Sequence, residues 1–407
     1  MRSLHLTESK IETVELSQEE AASLRQIGQA LASQASWWGQ ALDDDEHDEA
    51  RTVVQCNQLS EMSYRVRISD AIGVIGLKDT QIVVRPKIPL PHVLHLFAES
   101  NLLPRSSLKR TNLGAETNFF SVIAAWFIEA CEDLLRHGLA SDYVRVTGIL
   151  SCARGKIHPL ATARAVMSGR PEIKCDYDTR SEDISLNRVL RAAVLRLLGS
   201  PALPSALRAR CRRIQFRFSD VGDLQSSDLR ARPEAVTRSY TDAHPLALLI
   251  LTGASIAMQE DERRTWTFLF RTPEAIETGV RSCLSHRVGV AVAKRGRELA
   301  GDRKRRLNPD LVFGSGFAVG DVKYKLTIDG SIRRSDLNQV TTFATGYNAN
   351  HAVVVGFGPS ATGEQVQVGD VDVRGFNWDV NETNPVDAAD RLAESLVEWL
   401  AVAAPVH

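Results

Sequence analysis

Two short apolar runs joined by a glycine-rich turn constrain the fold of the C-terminal third more than any other feature of this sequence. The runs are Asp310–Phe313 and Ala318–Tyr324, and Gly314-Ser-Gly316 lies between them. Apolar runs of strand length on either side of such a turn predict a β-hairpin. Antiparallel pairing would then bring the carboxyl groups of Asp310 and Asp321 together at one end of a sheet.

The paired carboxylates predict a metal site, because two negative groups so close repel each other unless a cation lies between them. Mg²⁺, or Mn²⁺ in its place, prefers oxygen ligands and keeps water in its remaining positions. Lys323 lies two residues beyond Asp321, so both side chains point to the same face of the sheet. An ammonium group there can orient a water and stabilise charge on a phosphate. The pattern Pro309-Asp310 followed by Asp321-Val-Lys323 is typical of PD-(D/E)xK nucleases; the alternative is a surface hairpin with ordinary charges.

A third acid is expected on the helix that precedes the hairpin. Residues 273–286 have helical spacing and contain Glu274 and Glu277, which lie about one turn apart. Either carboxylate could reach the metal, or could merely cap the helix near Pro273.

The helix that follows the hairpin is expected to complete the site. It carries Gln339, with Phe343 and Tyr347 at i+4 and i+8 on a similar face. In many nucleases of this kind a glutamine and an aromatic residue on this helix line the site. The alternative for Phe343 is packing against the sheet.

The segment around the hairpin is basic, although the formal net charge of the chain is only −1. Any affinity for nucleic acid must therefore come from a local patch. A basic loop beside an acidic metal site suits a polyanion such as double-stranded DNA. The run Arg303–Arg306 could instead be a solvated turn. The predicted DNA-binding residues are Arg303, Lys304, Arg305, Arg306 and Lys325.

The length of 407 residues predicts two or three domains, since it exceeds what one hydrophobic core usually organises. Changes in pattern divide the chain into residues 1–110, 111–258 and 259–407. The predicted fold class is therefore multidomain, with α+β and α/β parts: an N-terminal helix and a small β-rich domain, a mostly helical middle region, and a C-terminal mixed sheet of the PD-(D/E)xK kind flanked by helices.

In the N-terminal region the pattern predicts a helix over residues 18–42 and an acidic loop over residues 43–49. Two alternating segments, Tyr64–Ile68 and Gln81–Arg85, predict strands. Gly73–Gly76 between them predicts a turn.

In the middle region three apolar segments predict helices: Phe119–His137 with Gly138 as its C-cap, Leu186–Leu198 and Pro245–Met258. The third is apolar enough to be a core element that joins two domains. Val144–Ile157 predicts extended structure.

The C-terminal region alternates helices and strands, which predicts an α/β unit with a mixed sheet. Asn384 and Pro385 are a favourable N-cap and first-turn residue for the last helix, which ends near Ala403. The remaining predicted elements are a short strand over Thr265–Phe270, a polar helix over Ser335–Tyr347 and a strand over Ala352–Gly356.

Cysteine usage and the absence of targeting signals predict a soluble, cytoplasmic protein that binds no membrane. The 6 cysteines form no C-x-x-C pair, so buried reduced thiols are expected. The N-terminus lacks the apolar core of a signal peptide. The longest apolar run, over residues 245–258, is too short to cross a bilayer.

These motifs together resemble the McrC family, the nuclease subunit of McrBC-type restriction systems that act on DNA containing 5-methylcytosine. The likeness spans residues from about 64 to about 356 and depends on the order and spacing of several short segments. They are Gly73–Gly76, Val84–Ile88, Arg136–Leu139, Tyr143, Ala153–Ile157, Cys175–Asp178, Asp183–Arg188, Pro309-Asp310, Asp321–Lys325 and Gln339.

The resemblance implies a C-terminal part that cuts DNA and an N-terminal part that docks on McrB, a hexameric AAA+ GTPase, and stimulates its hydrolysis. The Phe-Glu helix of the family falls on Ile276-Glu277, which favours Glu277 over Glu274 as the third acid. The family usually has tyrosine four residues past the glutamine, where this chain has Phe343.

The resemblance also assigns stimulation of the partner GTPase to an Arg-Gly-Arg-Ile element, which appears here as Arg154-Gly-Lys156-Ile. Lysine lacks the two-pronged geometry of arginine, so the second cation departs from the family pattern. The alternative is that Arg154 and Lys156 pair with acids such as Asp176 or Asp178 of their own domain.

Two other functions compete with a DNA endonuclease subunit switched on by a GTPase. One is a non-catalytic adaptor that only stimulates its motor, against which the intact Asp310, Asp321 and Lys323 argue. The other is a free-standing RecB-like nuclease, against which the long N-terminal region argues. The sequence has no G-x-x-x-x-G-K-[ST] motif, so we expect a partner to handle any nucleotide.

Overall fold

A computed structural model describes residues 2–33, 52–110, 118–170, 172–252, 258–260, 263–299, 302–327, 331–359 and 362–403 of this protein. Helices and both mixed and antiparallel sheets make up this part of the chain. The described helices are α1 (Gln18–Ala32), α2 (Leu90–Glu99), α3 (Phe119–His137), α4 (Pro159–Met167), α5 (Ser185–Gly199), α6 (Ser205–Arg217), α7 (Ala243–Thr252), α8 (Pro273–Ser285), α9 (Arg334–Tyr347) and α10 (Pro385–Ala403).

The described strands fall into five sheets. In chain order they are β1 (Arg2–Thr7), β2 (Glu12–Glu15), β3 (Val54–Gln58), β4 (Ser63–Ile68), β5 (Ala71–Gly76), β6 (Thr80–Arg85), β7 (Asp142–Leu150), β8 (Lys156–Ile157), β9 (Ile173–Ser181), β10 (Met258–Glu260), β11 (Arg263–Arg271), β12 (Val292–Ala293), β13 (Arg297–Leu299), β14 (Asp302–Leu307), β15 (Leu311–Phe313), β16 (Ala318–Leu326), β17 (His351–Gly358), β18 (Thr362–Val368) and β19 (Val371–Asp379).

Residue contacts divide the chain into two compact units. One combines Met1–Val122 with Thr252–His407, and the other is Ile123–Leu251. The first unit thus contains elements that the sequence analysis assigned to two separate domains. The reason is β11, which pairs with β5 over Trp266–Arg271 and so belongs to a sheet with the N-terminal strands.

A five-stranded sheet in the order β1-β6-β5-β11-β10 forms one layer of this unit. Its strand β5 corrects the turn predicted at Gly73–Gly76, because Ala71–Gly76 is fully buried and paired on both sides. Gly73 has a φ of 140°, and a Cβ atom there would lie 2.0 Å from the carbonyl oxygen of Phe268. The glycine therefore permits close approach of β11 rather than a turn.

Helix α1 packs beside the small antiparallel sheet β2-β4-β3. Its first turn is fixed by a capping box, in which Ser17 accepts a hydrogen bond from the Glu20 amide and the Glu20 carboxylate accepts one from the Ser17 amide. Leu24 and Ile27 of α1 are fully buried in the core that it shares with β4 to β6. The rest of the predicted helix, residues 34–42, and the acidic run 43–49 lie outside the described residues.

A six-stranded mixed sheet in the order β12-β15-β16-β17-β19-β18 forms the C-terminal part of the same unit. β16, β17 and β19 are parallel to each other, whereas β15 and β18 are antiparallel to their neighbours. Helices α8, α9 and α10 contact these strands. The predicted cap of α10 is confirmed, since the Asn384 side chain accepts a hydrogen bond from the Val386 amide at 3.1 Å.

The second unit combines helices with the three-stranded antiparallel sheet β7-β9-β8. Helices α3 and α5 lie where the sequence predicted them, and Gly138 after α3 has the left-handed φ of 87° expected of a C-cap. The predicted helix over Pro245–Met258 is shorter in the structure. It ends at Thr252, and Met258 begins strand β10.

Within the part of the chain that the structure describes, no helix is both long and apolar enough to cross a membrane.

The sheets and helices described above form a mixed α/β fold that is divided into more than one unit, as predicted.

Candidate active site

The hairpin of β15 and β16 brings the two predicted aspartates together. Leu311 pairs with Gly320, which places Asp310 next to Asp321 at the end of the pairing. Gly314 and Gly316 in the turn have φ angles of 56° and 106°, which glycine adopts without strain. An oxygen of Asp310 accepts a hydrogen bond from the Val322 amide at 3.2 Å. Asp310 and Asp321 are only 6% and 4% exposed.

Lys323 lies against this pair. Its Nζ atom is 2.6 Å from Oδ2 of Asp321 and donates a hydrogen bond of 2.6 Å to Oε1 of Gln339 on α9. Burial favours the neutral amine, but the neighbouring carboxylates, Asp321 foremost with Asp336 and Asp310, together raise the pKa of Lys323 above its usual value. The lysine is thus a cation held in place from both sides.

Glu277 on α8 is the third acid near this point. Burial, followed by repulsion from Asp310, raises the pKa of Glu277 to about 8. The same two causes raise the pKa of Asp321 to about 7. Glu274 is exposed, whereas Glu277 interacts electrostatically with both aspartates, so the helix register is the one that places Glu277 towards them.

Two cations that the sequence analysis did not single out contact Asp310. The Nζ atom of Lys294 lies 3.2 Å from Oδ1 of Asp310, and Arg281 donates a hydrogen bond of 3.2 Å to the Asp310 carbonyl. Both belong to the basic segment noted in the sequence. Their contact with Asp310 depends on where α8 and the pairing of β12 with β15 place them, which spacing along the chain does not reveal.

The donor set of this site fits a hard divalent cation. Oδ2 of Asp321 is buried, and the Lys323 ammonium lies 2.6 Å from it. Asp310 and Asp321 supply adjacent carboxylate oxygens, the ligand type that Mg²⁺ and Mn²⁺ prefer. Among the described residues, no group of three or more histidine, cysteine, aspartate or glutamate side chains is arranged to hold a metal. Glu277 influences the pair electrostatically, and its role as a third metal ligand stays a prediction.

The aromatic residues of α9 have packing roles. Phe343 is 8% exposed and lies in a core cluster with Val340 and Val354, which favours the packing alternative. The hydroxyl of Tyr347 donates a hydrogen bond to the carbonyl of Arg295. Gln339 of this helix accepts a hydrogen bond from Lys323.

The predicted DNA-binding residues lie on two elements. Arg303, Lys304 and Arg305 belong to β14, which pairs with β13, but their side chains lie outside the described residues. Arg306 is exposed. Lys325 is 3.4 Å from Asp336 and lines a cleft together with Lys323 and Arg333.

The predicted GTPase-stimulating residues lie in the second unit, on the exposed edge of the sheet β7-β9-β8. Arg154 donates a hydrogen bond of 3.0 Å to the Asp178 carbonyl and lies over the Tyr177 ring at 4.8 Å. Gly155 has a φ of 66°, and a Cβ atom there would lie 2.2 Å from the Asp176 carbonyl oxygen. The Asp176 carboxylate is occupied by His158 and Thr147, each at 2.7 Å. Arg154 thus contacts the backbone and an aromatic ring of its own domain.

The structure thus defines a mixed α/β protein with a buried site of paired carboxylates and a lysine. The family model described as McrBC 5-methylcytosine restriction system component matches residues 66–355. The chain therefore belongs to this family, which confirms the resemblance to McrC. No curated protein matches the chain.

Two solved structures from Thermococcus gammatolerans have a similar fold. One is a refined half-complex from a tetradecameric assembly of McrB AAA+ hexamers with bound McrC, with a TM-score of 0.73, 14% identity and coverage of 98% of this chain and 100% of that chain. The other is a McrBC complex determined by cryo-EM, with a TM-score of 0.52, 13% identity and coverage of 73% of this chain and 89% of that chain.

Proposed function

We propose that this protein is the DNA endonuclease subunit of a modification-dependent, McrBC-like restriction system, and that Asp310, Asp321 and Lys323 form a PD-(D/E)xK centre. The observation that carries the proposal is the buried pair of aspartates with the Lys323 ammonium 2.6 Å from Asp321. Membership of the McrBC family supports it.

In the proposed reaction, Asp310, Asp321 and Glu277 would hold Mg²⁺ or Mn²⁺. A bound ion of this kind polarises a phosphate and lowers the pKa of a water molecule. Lys323, aimed by Gln339, is placed to orient the attacking water and to neutralise charge that develops on the phosphate. Lys294 and Arg281 fix the Asp310 end of the site.

The proposed substrate is double-stranded DNA. Lys325 and Arg333 line the cleft that also contains Lys323, so a phosphate backbone there would meet two further cations beside the proposed catalytic lysine. The basic strand β14, with Arg303, Lys304, Arg305 and Arg306, is a further proposed contact with DNA.

The proposed partner is a hexameric AAA+ GTPase of the McrB kind, because the similar structure of McrC is bound to McrB hexamers. The second unit has the surface for such a partner. Its sheet and helix α4 expose large apolar side chains, among them Tyr143 at 74%, Leu160 at 78% and Met167 at 88%. Arg154 and Lys156 lie in the same part of this unit and are the residues proposed to stimulate the GTPase.

Cleavage of DNA containing modified cytosine, measured with the cognate AAA+ protein, GTP and Mg²⁺, tests the proposal. Asp321→Ala removes a metal ligand and should lower the rate at least about a hundredfold. Asp370→Ala, at an exposed aspartate in the turn between β18 and β19, is the matched control and should cleave normally.

Two other outcomes would replace the proposal. A wild-type protein that stimulates GTP hydrolysis but never cleaves DNA would be an adaptor. A protein that cleaves at full rate with no partner present would be a free-standing nuclease.

A further inference from the structure

A buried glutamate far from the hairpin in sequence contacts two elements that supply the candidate site. Glu8 follows β1 and is 2% exposed. One carboxylate oxygen accepts a hydrogen bond from the Thr272 hydroxyl, and the other accepts one of 2.9 Å from the Tyr324 hydroxyl. Neither the proposed catalysis nor the likeness to McrC assigns Glu8 a role.

Thr272 connects Glu8 to the helix of the third acid. It is the residue immediately before α8, is fully buried, and its amide donates to the Asp70 carbonyl at 3.1 Å. Glu277 lies in the second turn of that helix. Fixing Thr272 therefore fixes the end of α8 from which Glu277 projects.

Tyr324 connects Glu8 to the strand of the catalytic lysine. It follows Lys323 on β16, so its side chain points to the opposite face of the sheet. The Lys87 ammonium lies 3.9 Å from the centre of the Tyr324 ring, and the Lys87 amide donates to the same Glu8 oxygen at 3.4 Å. Glu8 and Lys87 thus fix β16 from the face of the sheet opposite Lys323, at the neighbouring residue Tyr324.

We infer that Glu8 is a positioning residue, which holds α8 and β16 in the relative placement that brings Glu277, Asp321 and Lys323 together. Removing the carboxylate leaves the buried hydroxyls of Thr272 and Tyr324 without their acceptor, and each must then shift to find another. This inference rests on the proposed function, because it assumes that the placement serves metal binding and cleavage.

Mn²⁺ binding to the full-length protein, measured by calorimetry with Mn²⁺ alone, is the primary test. Glu8→Ala should weaken Mn²⁺ binding about tenfold, as loss of outer residues around a metal site does. Glu8→Gln keeps the side-chain shape and an acceptor oxygen, so it should restore binding to within about threefold of wild type. Tyr324→Phe should produce an intermediate loss, and it should add little to Glu8→Ala because both changes break the same link.

Cleavage kinetics separate positioning from general destabilisation. Glu8→Ala should lower kcat at least about tenfold with little change in KM for DNA, because the basic residues proposed to bind DNA are untouched. Leu24→Ala, at a fully buried residue of α1, is the control for lost stability alone and should leave kcat and Mn²⁺ affinity unchanged in the folded protein.

The inference is overturned if folded Glu8→Ala and Tyr324→Phe bind Mn²⁺ and cleave as wild type does, or if Leu24→Ala reproduces their losses. Should Glu8→Ala fail to fold, Tyr324→Phe and Glu8→Gln decide the matter on the same readouts. Failure of the proposed function is a different result, in which the wild-type protein itself neither binds Mn²⁺ nor cleaves.

Discussion

At the scale of single residues, the candidate site buries two adjacent carboxylates, and their repulsion destabilises the folded chain. Asp310 and Asp321 are buried beside each other, and repulsion between them is only partly offset by Lys323 and Lys294. Such an arrangement costs stability in return for a prepared cation site.

Asp321→Asn should therefore stabilise the metal-free protein by roughly 1–2 kcal/mol, because it removes one of two adjacent buried negative groups. Thermal unfolding in the presence of a chelator measures this. Mn²⁺ should raise the melting temperature of the wild type, since it binds only the folded state, and should have no effect on the variant. A metal-free variant less stable than wild type would show that the carboxylate has a structural role.

A buried histidine, His244, should make the stability of the folded protein sensitive to acid. His244 at the start of α7 is 1% exposed, its Nε2 atom has no hydrogen-bond partner in the described structure, and burial lowers its pKa from 6.5 to about 4. The unfolded chain therefore binds a proton more readily than the folded one. The stability due to neutral His244 is complete above pH 6.5 and is lost as the pH falls towards 4.

The free energy of unfolding of the wild type should thus fall over that range by about 3 kcal/mol more than that of His244→Leu. Urea unfolding at the two ends of the range measures the difference. Equal acid sensitivity of the two proteins would mean that His244 finds a partner when it is protonated.

Local sequence relations predict some residues of the candidate site and miss others. Asp310, Asp321 and Lys323 were predictable because a hairpin and a two-residue step along a strand are local relations. Lys294, Arg281 and Glu8 were not, because their contacts join segments far apart in the chain. Their residue types are common, and no spacing distinguishes them from ordinary surface charges.

At the scale of elements, the long apolar helices, the central hairpin and strands such as β11 and β17 followed from local sequence pattern, whereas the long-range pairing of strands did not. The stretch Gly73–Gly76 shows the reason, since glycine marks both turns and close strand contacts, and its partner β11 lies far along the chain. β1 and β19 were not predicted either. The pairing of β11 with β5 also explains why one compact unit joins both ends of the chain.

Substitution of Gly155 tests whether the turn before β8 positions Arg154. A Cβ atom there would lie 2.2 Å from the Asp176 carbonyl oxygen, and the backbone has a left-handed φ that side chains disfavour. Gly155→Ala should therefore strain the turn by about 1–3 kcal/mol and displace Arg154. GTP hydrolysis by the partner, measured at saturating complex, should then fall.

Gly169→Ala is the matched control. Gly169 has a similar φ of 79°, but a Cβ atom there meets nothing within 4 Å. If both variants lower GTP hydrolysis equally, the effect comes from backbone strain in the second unit and not from the position of Arg154.

At the scale of the whole molecule, the two compact units separate the proposed activities. The carboxylate site lies in the unit formed by both ends of the chain, and Arg154 lies in the unit Ile123–Leu251. Asp321→Ala should therefore abolish cleavage while stimulation of the GTPase stays within about twofold of wild type, and Arg154→Ala should lower stimulation without removing Mn²⁺ binding. Paired measurements of both activities check this, and loss of both in a folded single variant would contradict it.

Anomalous diffraction from crystals soaked in Mn²⁺ tests whether Asp310 and Asp321 form a metal-dependent centre. The predicted result is an anomalous peak in contact with carboxylate oxygens of both aspartates, about 2.0–2.2 Å away as for a hard divalent cation, and its absence in Asp321→Asn crystals. An occupied Mn²⁺ site elsewhere, with Lys323 still bound to Asp321 and no peak between the aspartates, would contradict it.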